Sequence, residues 1–357
     1  MYKYLLHIVC TICIGPCLAI AAENPDTVTD RYISMALQGD LSGAETLFDG
    51  VGTGPLVTDL AHRFKSRFVI QDGDLSPHTG DALVDAIVST YRMYWIETLT
   101  GRLTPQEGLV FLENALHRLL NPVSLEDQTG ARTESRAGNR PEFPDVLAQM
   151  GSALEERGFH YLETNAPPLQ DLFLWKREEN KKFTVRLTDR SQPVRVTFMS
   201  EIYSMGWKQF ATLGLVATTG WVKGERLYCV SGAYDRLSED FRVSYLKHES
   251  RHLADFKRFP GLPSVELEYR AKLTELAFAT ASLRGLLEDF TLKSSPNSGS
   301  PHTFANYRVT RDMYEVLYEK KFPVSGNPWV HLDVSATNQA AQDLLEINTE
   351  ILELGEY

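Results

Sequence analysis

The sequence predicts a predominantly helical α+β fold in which a small, mainly antiparallel sheet immediately precedes a helix carrying two histidines. Three observations predict it. Apolar residues recur at three- and four-residue spacing through the first third of the chain; they alternate between residues 183 and 198; and helical spacing returns after residue 238. Residues 1–22 read as a leader, 23–143 as an N-terminal helical region and 144–357 as a second domain.

Met1–Ala22 has Lys3 as its only charge, an apolar run from Tyr4 to about Ile20, and Ala19-Ile20-Ala21 in the small-x-small form that signal peptidases cut. The expectation is a signal peptide cleaved after Ala21 or Ala22, hence a secreted or periplasmic protein with no stable membrane insertion. Cys10, Cys13 and Cys17 leave with the leader, so Cys229 remains alone and no internal disulfide can form. The chain carries 36 Lys and Arg against 47 Asp and Glu, and it lacks a basic block. Nucleic acid and anionic membrane surfaces are therefore excluded as expected partners.

From Thr27 to about Asn121 the pattern is helical, with stripes Leu83-Val84-Ile87-Val88-Tyr91 and Leu109-Leu112-Leu116-Leu120 that read as core. Gly50-Val51-Gly52-Thr53-Gly54 lacks the preceding strand and following Lys-Ser of a phosphate loop and reads as a turn. Gln128–Arg140 is almost devoid of apolar side chains and marks the best internal boundary. A helix near Pro144–Arg157 follows. Phe183-Val185-Leu187 and Val194-Val196-Phe198 then form a hairpin around Asp189-Arg190-Ser191-Gln192, and Leu213–Thr219 and Arg226–Val230 add two strands.

Ser238-Glu239-Asp240 opens the next helix as an N-cap with an acidic first turn. Within it stands His248-Glu249-Ser250-Arg251-His252. Histidines four apart lie one turn from each other on one helical face, so both imidazoles can reach one ion, and a carboxylate beside the first is placed to take a proton from a bound water. Pro260-Gly261-Leu262-Pro263 ends the helix, and a second runs from Ser264 towards about Phe290. A third ligand must come from outside the first helix. Glu268, early on the second, is the best placed, with Glu266 and Glu275 as runners-up.

His248-Glu249-x-x-His252 with Glu268-Tyr269-Arg270-Ala271 resembles the gluzincin type of zinc metallopeptidase over about residues 238–290. That resemblance implies a zincin-like catalytic core, Zn²⁺ held by His248, His252 and Glu268, and Glu249 as general base on a peptide or protein substrate. The aspartate often found four residues after the ligand glutamate is replaced here by Lys272.

Ser294–Ser300 reads as a loop delivering His302 and Tyr307, either of which could donate to an oxyanion. Asp255 could orient a ligand imidazole or form a surface salt bridge, and Arg251 points off the motif face. His62, His78, His117, His160 and His331 lack partners at ligand spacing. No Gly-x-Ser-x-Gly is present, and Cys229 lies in an apolar strand pattern, which argues against a serine or cysteine hydrolase. The C-terminal pattern, about Ala336–Leu354, is an amphipathic packing helix. Two functional classes follow: a secreted zinc-dependent hydrolase, or a noncatalytic extracytoplasmic binding or scaffold protein whose motif is accidental or holds a structural metal.

Overall fold

The computed structural model describes residues 28–48, 55–71, 73–122, 142–296, 300–323 and 327–355. The leader, the Gly50–Gly54 run and the Gln128–Arg140 stretch lie outside these residues. The fold is α+β, with about 57% of the described residues helical and a small mixed, curled sheet. Contacts divide it into two units: one runs to Glu178 and takes in Met199–Thr219, the other comprises Glu179–Phe198 and Gly220–Tyr357. Two long strands, β2 (Leu169–Arg186) and β3 (Ser191–Met205), run through both units.

The first unit holds α1 (Val28–Gln38), α2 (Pro55–Phe64), α3 (Ala82–Leu99), α4 (Pro105–Leu120), α5 (Phe143–Glu156), β1 (His160–Ala166) and α6 (Gly206–Ala211). Its caps follow from sequence. Asp81 accepts from the N–H groups of Leu83 and Val84 at 3.0 and 3.1 Å, and Thr104 with Glu107 forms a capping box with Pro105 at the first position of α4. The stripes read as core are core: Val84, Ile87, Val88, Tyr91, Leu112 and Leu116 are each fully buried. Strand β1, antiparallel to β2, is not marked by apolar alternation because its buried face carries the polar Thr164 beside Leu162. The expected strand Leu213–Thr219 does not form. Leu213 and Gly214 adopt left-handed backbone (φ 54° and 82°), which ends α6 in a turn and buries Leu213 in the helical core.

In the second unit β4 (Gly220–Lys223) and β5 (Arg226–Val230) form a tight antiparallel hairpin, and the strand order is β1-β2-β3-β5-β4. Gly220 is obligatory for space: a Cβ there would stand 2.4 Å from the Tyr245 ring and 2.6 Å from the Tyr228 carbonyl oxygen. Ser238 caps the next helical segment, its hydroxyl accepting from Phe241 N–H at 3.1 Å. A wide π-type turn, Phe241–Lys247, leads into α7 (His248–Arg258), and such wide turns recur at functional sites. After the Pro-Gly-Leu-Pro reversal, with Gly261 at φ 88°, α8 (Ser264–Phe278) packs against α7.

Helix α8 stops earlier than the spacing predicts. Ala279 turns extended, and the Glu239 carboxylate accepts from the N–H groups of Thr280, Ala281 and Ser282 (2.5–3.2 Å), opening a separate α9 (Leu283–Leu292). Helices α10 (Pro301–Tyr318) and α11 (Val334–Leu354) then pack along α8. No helix among the described residues is long and apolar enough to cross a membrane.

Candidate metal centre

Helix α8 is buried on every side from Leu267 to Ala277, and it brings Glu268, Arg270, Lys272, Thr274 and Glu275 inside. Burying charge is costly without partners, so those partners define the site. His248 opens α7 and His252 follows one turn later, and their Nε2 atoms converge to 3.0 Å. Glu268 faces both: Oε1 is 3.3 Å from His252 Nε2 and Oε2 is 3.7 Å from His248 Nε2. Ligand atoms bonded at about 2.0–2.1 Å around a tetrahedral ion stand about 3.3 Å apart. With one ligand atom taken from each residue, all three lie within 4.8 Å of one another, so this buried group could hold one metal ion.

The surroundings favour a cation. His248 Nδ1 lies 2.6 Å from Glu275 Oε1, which sets the Nδ1–H tautomer and leaves the Nε2 lone pair for a ligand bond. Burial pushes the His248 pKa down, but the carboxylates of Glu275, Glu268 and Glu249 outweigh it and hold it above its ordinary value. Glu268 is likewise pushed up by burial, yet His302 and His252 hold it well below the usual carboxylate range. A field that favours a proton on His248 favours a metal cation beside it. Glu249, one residue after His248, is fully buried.

The runner-up ligands have other work. Glu266 pairs with Arg308 and with Asn348 at 3.3 Å, and Glu275 orients His248. His302, in the first turn of α10, reaches the cluster with Nδ1 2.8 Å from Glu268 Oε2. Tyr307 instead packs with Phe304 (6.3 Å between rings) and lies under Arg311. His160 stacks on Trp175, and none of the five other histidines set aside above joins a metal-type group among the described residues.

One expectation needs correcting, and one residue off the motif face turns out to be buried. Arg251 is 1% exposed, donating to Thr274 Oγ1 (3.1 Å), Thr188 Oγ1 (3.1 Å) and Asp189 Oδ1 (2.9 Å), because α7 is covered on this side by α8 and the β2–β3 turn. Asp255 does not orient His252. It is taken by Arg270 (2.7 and 3.1 Å) and lies 3.5 Å from Arg251, while His252 Nδ1 has no hydrogen-bond partner among the described residues. Arg270 also donates to Asn348 and Thr349, so α11 supports the centre's scaffold beyond apolar packing. The Glu275 role was within reach of sequence, since it stands seven residues after Glu268 on the same helical face.

No family model, curated protein or solved structure matches the chain. The arrangement of residues therefore carries the functional argument.

Proposed function

We propose that this chain is an extracytoplasmic zinc-dependent hydrolase, a metallopeptidase, with His248, His252 and Glu268 as metal ligands. The observation that carries the reading is the convergence of two Nε2 atoms and one carboxylate, all buried, beside the buried Glu249. Two imidazoles and a carboxylate suit zinc, and three protein ligands leave a fourth position open. Zinc bound there would supply a Lewis acid that polarises a carbonyl and makes water more acidic. Glu249 takes the proton from the attacking water and returns it to the leaving amine; Glu275 keeps His248 in the required tautomer. His302 lends a donor at the edge of the cluster, a role for which Tyr307, packed on Phe304, is not placed.

Burial gives a second reading its footing: Glu249, His252 and Glu268 are 0% exposed, as in a structural metal site on a noncatalytic binding or scaffold protein. Metal analysis and a peptide library separate the two. The proposal expects one zinc per chain, lost on changing His248 or His252 to Ala, and peptide cleavage that a chelator stops and zinc restores. A stoichiometric zinc that unfolds the protein on removal, with no cleavage of any peptide, would establish the structural reading instead.

A further inference from the structure

We propose that His302 is a positioning residue, its Nδ1 paired with one oxygen of Glu268 so that the carboxylate offers a single oxygen to the metal. This rests on the metal-centre reading above and deepens it. Oε2 stands 2.8 Å from His302 Nδ1 and 3.7 Å from His248 Nε2, while Oε1 stands 3.3 Å from His252 Nε2, so His302 competes with the metal position for Oε2 alone. The division has a chemical consequence. A carboxylate can bind a metal through one oxygen or two, and each additional oxygen takes a place that a water or a substrate carbonyl would use. Glu268 is fully buried, so the protein alone decides how many oxygens it presents.

The placement of His302 does not depend on that one contact. Pro301 starts α10, and one turn after His302 the buried Asn306 donates to the Lys293 carbonyl at 3.1 Å. Ser295 N–H bonds the Thr303 carbonyl at 3.3 Å. Further along, Arg308 pairs with Glu266, and Tyr269 donates to Asp312 at 2.9 Å, so α10 is tied to α8 on both sides of Glu268. His302 thus approaches the carboxylate from a helix held in place independently of the metal.

Cobalt(II), added to the full-length protein, tests this without any substrate. Its visible bands are intense in four-coordinate sites and weaken when a further ligand atom joins. His302→Ala is expected to reduce cobalt affinity about 10–100-fold, the usual effect of removing an outer partner, and to weaken the bands. His302→Asn puts an amide N–H where Nδ1 stands and should restore both; His302→Gln, whose amide falls nearer the Nε2 position, should not. Bands and affinity unchanged in His302→Ala, or Asn and Gln variants that behave alike, would overturn the inference. A merely structural role would lower the unfolding temperature of the Asn and Gln variants equally and leave their bands as in the wild type. Cobalt that binds the wild type, is lost in His252→Ala and ignores position 302 sinks this inference alone. Wild type that takes up no cobalt sinks the metal centre with it.

Discussion

Asp171 in the first unit and Glu268 in the second are both buried carboxyls, yet they are held in opposite states. Burial dominates at Asp171 and pushes its pKa up to about 6, only partly offset by the N–H groups of Trp207 (2.7 Å) and Leu172 (3.0 Å). At Glu268 burial pushes the same way, but His302 and His252 outweigh it and hold the carboxyl well down. Depth is the same; the neighbours differ. Neutral N–H donors make Asp171 a structural acceptor that joins β2 to α6. Imidazoles keep Glu268 charged, and a carboxylate kept charged in the interior is one that can hold a cation.

The largest effect should come from the carboxylate beside the ligands. General-base assistance contributes typically about 10²–10⁴-fold, so Glu249→Gln should keep fold and metal yet lower kcat/KM on a cleaved peptide by at least that factor. Wild-type turnover in this variant would reduce the contrast between the two units to one of packing.

Asp255 is a third buried carboxylate, and it is answered by an arginine. Arg270 donates to it through Nε and a terminal nitrogen, at 2.7 and 3.1 Å. Arg270→Leu would leave an uncompensated charge inside and should cost about 3–5 kcal/mol in urea unfolding. Adding Asp255→Leu should recover most of that loss, because a paired apolar replacement is often neutral. Absence of recovery would mean that Arg251, 3.5 Å from Asp255, or the Asn348 and Thr349 contacts carry the stability.

Asp171 supplies the converse test. Its folded pKa of about 6 lies above the unfolded value of about 3.9, so between these the native state holds the extra proton. Stability from this group is complete below about pH 4 and lost as pH rises towards about 6. Asp171→Asn keeps an acceptor oxygen for Trp207 and Leu172 and removes the charge. At pH 7.5 it should be more stable than wild type by roughly 2 kcal/mol, and the two should match near pH 4. Equal unfolding midpoints at both pH values would show that the carboxyl is not perturbed.

These contrasts show how much could be read in advance. Periodicity reveals α3, α4, α7 and the β2–β3 turn because each places apolar residues at one repeat. His248, His252 and Glu268 were legible because a helix and a Pro-Gly reversal convert spacing into geometry. The break between α8 and α9 was not: Glu239, more than forty residues earlier in the chain, makes it by capping Thr280–Ser282. Nor was the inward turn of Arg251 and Arg270, since an arginine in sequence looks the same on a wet face as in a core where Asp189 and Asp255 await it. Partners distant in the chain decide both cases.

A smaller effect is expected at the carboxylate behind His248. Orienting partners of metal-bound histidines typically contribute about 10–100-fold in affinity, so Glu275→Ala should still load at saturating zinc but bind it that much more weakly in chelator competition. Glu266→Ala, which loses only Arg308 and Asn348, should leave zinc affinity unchanged. If both variants weaken zinc equally, the effect is general loosening of α8 and not the 2.6 Å contact to His248 Nδ1.

Glu239 gives the smallest change and the opposite pH sense to Asp171. Burial pushes its pKa up, but hydrogen bonds from Thr280 and Ser282 outweigh that and hold it at about 2. The unfolded chain, with an ordinary value of about 4.3, takes up protons first as pH falls. The stabilisation is therefore intact above about pH 4.3 and lost on the way down to about pH 2. Glu239→Gln weakens the acceptor that caps the start of α9 and should cost about 1 kcal/mol at pH 7, in the usual range for a lost N-cap. Because the variant has no proton to gain, its deficit against wild type should shrink when urea unfolding is repeated at pH 3. A deficit of the same size at both pH values would mean that the shape of the side chain, and not its charge, holds the α8–α9 turn.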